Sequence, residues 1–307
     1  MSTTTTVETV EKFPLYIGGE FVETKEHDTV RLPYDGTPVG EVPRAGEAEL
    51  AKAVEAAQQG ARAMAAMSNY ERADLLLKIR ELLLRDVEEF ARLICMETGK
   101  PIKEARVEAQ RSGETLVAAA HEARQLHGEV IPMDFSATGK GRMAITVREP
   151  LGVIGAITPF NVPLNLGLHK IAPALAAGNA MIHKPAERTP LSALRLARTC
   201  AEAGVPKGAY NVLNGPGPVL GQAMVRHDGI AMLTFTGSVA IGTQIRAAAG
   251  LKKVTLELGN NSAVILEPDA DVKTAVARTV QGSFSHSGQV CISVQRVFAH
   301  ESVYDSF

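Results

Sequence analysis

Ile230-Ala-Met-Leu-Thr-Phe-Thr236 runs straight into Gly237-Ser-Val-Ala-Ile-Gly242, a strand-like apolar run that passes through a tight turn into a helical segment. Gly237 permits close backbone approach, Ser238 can cap the helix and offer a hydroxyl, and a helix N-terminus attracts phosphate. A single G-x-x-x-x-G is equally compatible with a plain strand-to-helix turn, and the G-x-G-x-x-G fingerprint is absent. Repetition around the turn gives it meaning. Strand-like runs recur at residues 153–158, 180–183, 210–213 and 253–257, and helical segments fill 163–177, 190–203, 218–226 and 239–249. Three of these four helices open on proline, whose missing N–H costs nothing at the first helical position. Five strands joined by four helices predict an open parallel α/β sheet, which binds ligands beyond the carboxyl ends of its strands.

Upstream, residues 47–127 read as successive helices: Leu75, Leu76, Ile79, Leu82, Leu83, Val87, Phe90 and Leu93 recur at three- and four-residue spacing, and Gly99-Lys-Pro101 divides the stretch. Residues 129–149 change character, with Gly139-Lys-Gly141 between two runs, 131–135 and 142–148, that predict a projecting hairpin. After Asn261 a further strand and helix lead to Cys291, followed by a strand-like run at 294–300. Residues 1–12 read as a disordered tail without the basic start and apolar run of a secretory signal.

At 307 residues the chain exceeds one typical domain. It is 45% hydrophobic and 21% charged with a formal net charge of −2, which suggests neither a nucleic-acid nor a membrane partner. Apolar stretches such as 171–177 are broken by Pro or Gly well short of the roughly 20 residues of a membrane span. Cys95, Cys200 and Cys291 have no spacing that suits a disulfide framework or a metal site, and a reducing, cytoplasmic compartment fits.

Three short runs carry chemistry. In Ile182-His-Lys-Pro-Ala-Glu187, Lys184 and Glu187 lie beyond a strand's carboxyl end, where they can grip ribose hydroxyls or form an ordinary loop ion pair. In Ile157-Thr-Pro-Phe-Asn-Val-Pro163, the Asn161 amide can serve as an oxyanion donor or as a helix N-cap. Cys291, in Phe284-Ser-His-Ser-Gly-Gln-Val-Cys-Ile-Ser293, follows Glu257 of Thr255-Leu-Glu-Leu-Gly259. A thiol nucleophile and a carboxylate that activates water are what oxidation of an aldehyde through a thioester needs. Cys95 and Cys200 fall within helices as packing residues. His169 and His183 read as core histidines, and His286 as a solvent-facing residue at a helix end.

Taken together, these runs resemble the aldehyde dehydrogenase superfamily, from near Pro14 to the end of the chain. The resemblance implies a family fold: N-terminal helices plus a five-stranded parallel Rossmann-like sheet, with the start of a catalytic α/β domain. It implies an NAD(P)-binding domain over 13–128 and 150–258, an oligomerisation hairpin over 129–149 and catalytic-domain residues over 259–307. Cys291 becomes the nucleophile, Asn161 with the Cys291 N–H the oxyanion hole, and Glu257 the general base. The cofactor site is assigned to Thr158, Pro159, Phe160, Lys184, Glu187, Gly217, Gly221, Thr236, Gly237, Ser238, Leu258 and Gly259. Lys184 and Glu187 fall on the adenosine ribose, and Gly237 and Ser238 near the pyrophosphate. The implied cofactor is NAD, with NADP as the alternative, and the reaction is oxidation of a small aldehyde to a carboxylic acid through a thiohemiacetal and a thioester. Glu257 argues against the branch that passes the acyl group to coenzyme A. Gly288-Gln-Val-Cys-Ile-Ser-Val-Gln-Arg296 resembles members that act on small oxygenated aldehydes such as lactaldehyde or phosphonoacetaldehyde. Full-length members form homo-oligomers.

Two departures stand out. The family's Glu-Leu-Gly-Gly reads Glu257-Leu-Gly-Asn260 here, a change that asparagine's tolerance of positive φ would allow. The chain is also shorter than the family, so it is expected to be truncated after the catalytic cysteine and inactive by itself. The alternative is a non-catalytic nucleotide-binding or oligomerising remnant.

Overall fold

The structure, a computed structural model, describes residues 10–307. Two short hairpins come first: β1 (Leu15–Ile17) with β2 (Glu20–Val22), and β3 (His27–Arg31) with β4 (Pro38–Pro43). The Glu41 N–H donates to the Glu11 carbonyl at 2.9 Å, and Lys12 bridges to Glu41. The expected tail at 1–12 is therefore anchored to β4 at its last two residues, and residues 1–9 of it lie outside the described residues.

Four helices follow: α1 (Glu47–Ala66), α2 (Asn69–Arg85), α3 (Val87–Thr98) and α4 (Ile102–Gln125). Ser68 and Glu71 close a capping box at the start of α2, and Gly99, at φ 73°, ends α3 in a conformation that favours glycine. The apolar stripe of α2 packs on α4, whose buried face is mostly alanine: Ala105, Ala109, Ala119, Ala120 and Ala123. Small side chains let the two helices approach closely. The hairpin expected at 129–149 is present with shorter strands, β5 (Val130–Ile131) and β6 (Ala144–Ile145), Val130 facing Ile145.

The central sheet is built from β7 (Val153–Ile157), α5 (Pro163–Ala176), β8 (Ala180–Lys184), α6 (Leu191–Ala203), β9 (Tyr210–Val212), α7 (Gln222–Arg226), β10 (Met232–Thr236), α8 (Val239–Ala248) and β11 (Lys253–Glu257). Its order is β11-β10-β7-β8-β9-β1-β2, with the five strands from β11 to β9 parallel and the β1–β2 hairpin added antiparallel at the edge. The five parallel strands are those that the sequence predicts; the two edge strands are additional. Central strands β7 and β8 are buried almost throughout, as parallel strands covered by helices on both faces must be. Each buried Val, Ile or Leu contributes about 1.5–3 kcal/mol. The proline expectation holds only for Pro163, the first residue of α5. Pro190 precedes α6 as its cap, and Pro218 lies in a wide helical turn, Gly217–Gly221, ahead of α7.

From β7 the chain steps to β8 on one side and later returns to β10 on the other. This reversal leaves a crevice beyond the carboxyl ends of β7 and β10, the position where open α/β sheets bind ligands. After β11, the strands β12 (Ser262–Leu266) and β13 (Val294–Ala299) pair in parallel as a separate small sheet around α9 (Val272–Phe284). This segment buries Leu266, Thr279, Ser293 and Val303, whereas Ile265, Phe284, Ile292 and Phe298 are exposed. None of the helices among the described residues is long and apolar enough to cross a membrane.

Candidate active site

Asn161 follows the carboxyl end of β7, in the connection to α5. It is buried, but it does not cap the helix: the cap position is Val162, whose side chain makes no capping bond. The helix end is held by a remote carboxylate, Glu108 of α4, which accepts from the Leu164 and Asn165 N–H groups at 3.0 and 3.3 Å. Lys100 lies 2.5 Å from the other Glu108 oxygen and also donates to the Asn161 carbonyl at 2.8 Å. Both members of this pair are buried, so losing either would strand a charge at a cost of about 3–5 kcal/mol. One ion pair thus grips the Asn161 loop from its carbonyl and from the helix that follows. The Asn161 Nδ2 donates to the Gln289 carbonyl at 2.7 Å, which ties it to the loop carrying Cys291. Its Oδ1 is buried without a partner.

The Cys291 loop is a strained one. His286 and Ser287 have φ of 48° and 57°, in the left-handed region that costs side-chain-bearing residues roughly 1–2 kcal/mol each. Such strain persists where surrounding contacts over-determine it. His286 is half-buried and not solvent-facing as expected; burial and the nearby Lys100 charge lower its pKa, and its Nε2 is buried without a partner. The second tie comes from Asn260, whose Nδ2 donates to the Cys291 carbonyl while its Oδ1 accepts from the Ser262 N–H at 2.5 Å. Asn260 does not have positive φ. The departure from glycine therefore strains no backbone, and it adds a side chain that links the Glu257 strand to the thiol loop.

Cys291 itself is exposed, Cys95 is half-buried and Cys200 is fully buried, its thiol pushed up to about 12 by burial. Only a thiolate attacks. Limited iodoacetamide treatment followed by peptide mapping is expected to label Cys291 first and Cys200 last. Equal labelling of all three in the folded protein would remove Cys291 from the nucleophile's role.

Glu257 ends β11, where its carbonyl accepts from the Gly237 N–H at 3.0 Å. Beside it lies Lys170 of α5, buried and bonded to the Thr234 hydroxyl at 3.0 Å; burial lowers its pKa to about 8 and Glu257 opposes the shift. A lysine on the apolar face of α5 was the sequence signal for this neighbour. His169, expected in the core, instead reaches solvent. Partial burial lowers its pKa, as do the charges of Lys170 and Arg111. His183 is a core histidine as expected: it links the Thr158 hydroxyl (2.8 Å) to the Tyr210 hydroxyl (2.9 Å), and burial pushes it down to about 3.

The crevice at the reversal point is a cleft of about 700 Å³ lined by Ile157, Gly217, Pro218, Gly221, Phe235, Ser238, Ile241 and Ile245. Ser238 caps α8 by accepting from the Ile241 N–H. A Cβ at Gly237 would meet the Phe235 ring at 2.4 Å, so a side chain there would have to displace that ring. Glu187 is not a free loop carboxylate, since it accepts from the Gly217 N–H at 2.6 Å and lies 3.8 Å from the Lys184 ammonium. Lys184 is buried, and burial lowers its pKa against the pull of Glu187. Thr158 and Thr236 are buried at the strand ends, Pro159 is half-buried, and Phe160 is exposed beside the thiol loop's Gln289 in a neighbouring cavity. Leu258 packs on Gly242, and Gly259 has open space where a Cβ would stand.

The sequence matches the model of the aldehyde dehydrogenase family over residues 21–307. The chain belongs to this family. It is 45% identical over 303 residues to 3-sulfolactaldehyde dehydrogenase of Priestia aryabhattai, covering 99% of this chain and 63% of that protein. It is 39% identical over 297 residues to lactaldehyde dehydrogenase of Methanococcus aeolicus, covering 95% and 62%. Among solved structures, NADP-dependent glyceraldehyde-3-phosphate dehydrogenase from Bacillus halodurans, complexed with NADP, aligns with a TM-score of 0.93 at 38% identity, over 96% of this chain and 63% of that one. The chain thus spans somewhat under two thirds of the length of the curated relatives it matches. The mostly parallel α/β architecture is that of aldehyde dehydrogenases. Against the sequence reading, the structure adds Lys100, Glu108 and Asn260, the groups that hold the Asn161 and Cys291 loops together. Glu108 stands on the same buried face of α4 as Ala105 and Ser112, the one charged group in a stripe of mostly small side chains.

Proposed function

We propose that this chain supplies the dinucleotide-binding unit, residues 13–128 and 150–258, and the nucleophile segment, residues 259–307, of an NAD(P)-dependent dehydrogenase that oxidises small aldehydes to carboxylic acids. The observation that carries this reading is the bond from the Asn161 amide to the Gln289 carbonyl, which draws a buried amide donor to the loop of an exposed thiol at the ligand-binding edge of the sheet. The Cys291 thiolate adds to the aldehyde carbon. The second Asn161 Nδ2 hydrogen and the Cys291 N–H donate to the oxyanion that forms. A bound nicotinamide supplies the hydride acceptor that makes the adduct a thioester. Glu257 then takes a proton from the water that attacks the thioester carbon, and the acid leaves as the thiol is restored.

The cleft fits a dinucleotide. Its walls are apolar on the α7 and α8 sides, its floor opens on the capped N-terminus of α8, and the unused oxygen of Glu187 is available to ribose hydroxyls. The relatives named for 3-sulfolactaldehyde and lactaldehyde support small oxygenated aldehydes as the substrate class. Exposed Val130, Phe135, Met143 and Ile145 on the hairpin support its role in a homo-oligomer. The test is dinucleotide binding and aldehyde-dependent dinucleotide reduction, measured side by side on the 307-residue chain and on a form extended to the length of its relatives. Both forms are expected to bind. Turnover is expected from the extended form alone, because Asn161 and Asn260 tie the Cys291 loop by its backbone while residues 259–307 bury only Leu266 and Val303 among their apolar side chains, too small a core to position a substrate over the thiol. Binding without turnover in both forms would favour the non-catalytic reading.

Glu187 also sets cofactor choice. A carboxylate at the ribose would repel a 2′-phosphate, so NAD is expected to bind about tenfold more tightly than NADP, and Glu187→Gln to close most of that gap. Equal affinities in the unmodified protein would remove Glu187 from the ribose.

A further inference from the structure

Strands β12 and β13 pair in parallel with Ser262 opposite Val294, so the segments that lead into them, 258–261 and 289–293, run side by side. The Arg296 guanidinium of β13 fastens the first segment by donating to the Asn261 carbonyl at 3.2 Å. From that segment the Asn260 Nδ2 reaches the Cys291 carbonyl. The backbone around the thiol is thereby held at three successive carbonyls. That of Gln289 accepts from Asn161 at 2.7 Å, that of Val290 from the Ser293 N–H at 3.0 Å, and that of Cys291 from Asn260. The middle bond closes a four-residue turn with Cys291 in its second position. A trans peptide points its N–H opposite its carbonyl, so with the Val290 carbonyl directed into the turn the Cys291 N–H is directed out of it. That N–H has no acceptor among the described residues. It is a free donor on a backbone pinned before and after it.

The two side-chain ties differ in their support. Asn161 is buried and gripped by Lys100, whereas Asn260 and Cys291 are both exposed. Upstream of the thiol the loop is anchored in the core; downstream, the Asn260 amide is the side chain that holds Cys291. A glycine at this position, as in the Glu-Leu-Gly-Gly pattern, has nothing to make the tie. We infer that Asn260 is a positioning residue of the reaction: it fixes the Cys291 peptide so that the thiol and the free Cys291 N–H face one substrate carbonyl, and it links both to the strand that ends in Glu257. This deepens the proposed function, on which it rests, by naming the group that aims the nucleophile.

Two variants separate this role from a purely local one. Asn260→Gly removes both side-chain bonds. Asn260→Asp keeps an oxygen to accept from the Ser262 N–H, a bond of 2.5 Å, and loses the donor to Cys291. In the extended form, the first-turnover burst of reduced dinucleotide is followed on its high-pH plateau, where the thiol is ionised in every variant and changes in its acidity drop out. The burst rate is expected to fall about three- to tenfold in Asn260→Gly, as for one lost hydrogen bond, and at least as far in Asn260→Asp, with dinucleotide affinity unchanged in both. A burst at the unmodified rate in either variant overturns the inference; in Asn260→Asp it would leave Asn260 a turn residue and nothing more. The contact itself is read without turnover in the 307-residue chain labelled with carbonyl-carbon-13 cysteine, which has three such carbons. The Cys291 resonance, identified by its loss in Cys291→Ser, is expected to shift in both variants while those of Cys95 and Cys200 stay. A Cys291 resonance that both variants leave in place overturns the inference as well. An unmodified extended form with no burst at all is a failure of the proposed function, and the carbon-13 comparison then still decides whether Asn260 holds Cys291.

Discussion

Replacing Cys291 with alanine is expected to abolish aldehyde-dependent dinucleotide reduction in the extended form, a loss of roughly four orders of magnitude or more, with dinucleotide affinity unchanged. Among the described residues no other thiol suits the role. Cys200 is fully buried with its pKa pushed up to about 12, and Cys95 lies in α3, half-buried. The cofactor cleft is lined by residues of the sheet edge, α7 and α8, none of them in the Cys291 loop, so binding and chemistry should separate cleanly. Steady-state rates by reduced-nicotinamide absorbance, together with a fluorescence titration of the dinucleotide, check both halves. Turnover within tenfold of the unmodified enzyme would place the nucleophile elsewhere.

Glu257→Gln is expected to separate the two half-reactions. Glutamine keeps the shape of glutamate but cannot take a proton from water. In the proposed mechanism acylation of Cys291 does not use this carboxylate, so a first equivalent of reduced dinucleotide should appear at near-normal rate. Thioester hydrolysis in that mechanism does use it, and steady turnover should drop about 10²- to 10⁴-fold. Rapid-mixing traces should therefore show one burst followed by an almost flat line. Loss of the burst along with the steady rate would assign Glu257 to the first step. Undiminished steady turnover would point to another group near the water, with the solvent-reaching imidazole of His169 the first to examine, since its charge state is coupled to Glu257.

The sheet was legible because β7, β8 and β10 are short, mostly apolar runs, β11 alternates apolar and polar residues, and the segments between the strands carry apolar stripes. Leu15–Ile17 and Glu20–Val22 were not legible: three residues are too few for alternation to register, and the hairpin joins the sheet through tertiary position, β1 pairing with β9. Pro218 misled because a wide turn precedes α7, a backbone detail that proline's fixed φ does not encode. In the site, Asn161, Lys184, Glu187, Glu257 and Cys291 each stand in a contiguous run whose chemistry can be read locally. What holds them cannot be read so. Glu108 meets Leu164 across 56 residues of sequence, and Lys100 meets Asn161 across 61. Asn260 was read through its backbone tolerance, whereas its side chain, bonded to the Cys291 carbonyl, is what the fold uses. His169 was placed in the core from its apolar neighbours on α5, but the helix turns that position outward toward Arg111 and Glu257.

The central claim is that Cys291 carries the acyl group of the substrate. Its most direct test is peptide mass spectrometry of the extended Glu257→Gln form, quenched in acid after mixing with dinucleotide and a small aldehyde. The account predicts one acyl group per chain, mapped to the peptide that contains Cys291 and formed in step with one equivalent of reduced dinucleotide. Reduced dinucleotide formed with no adduct on Cys291, or an acyl group mapped to any other residue, would contradict it.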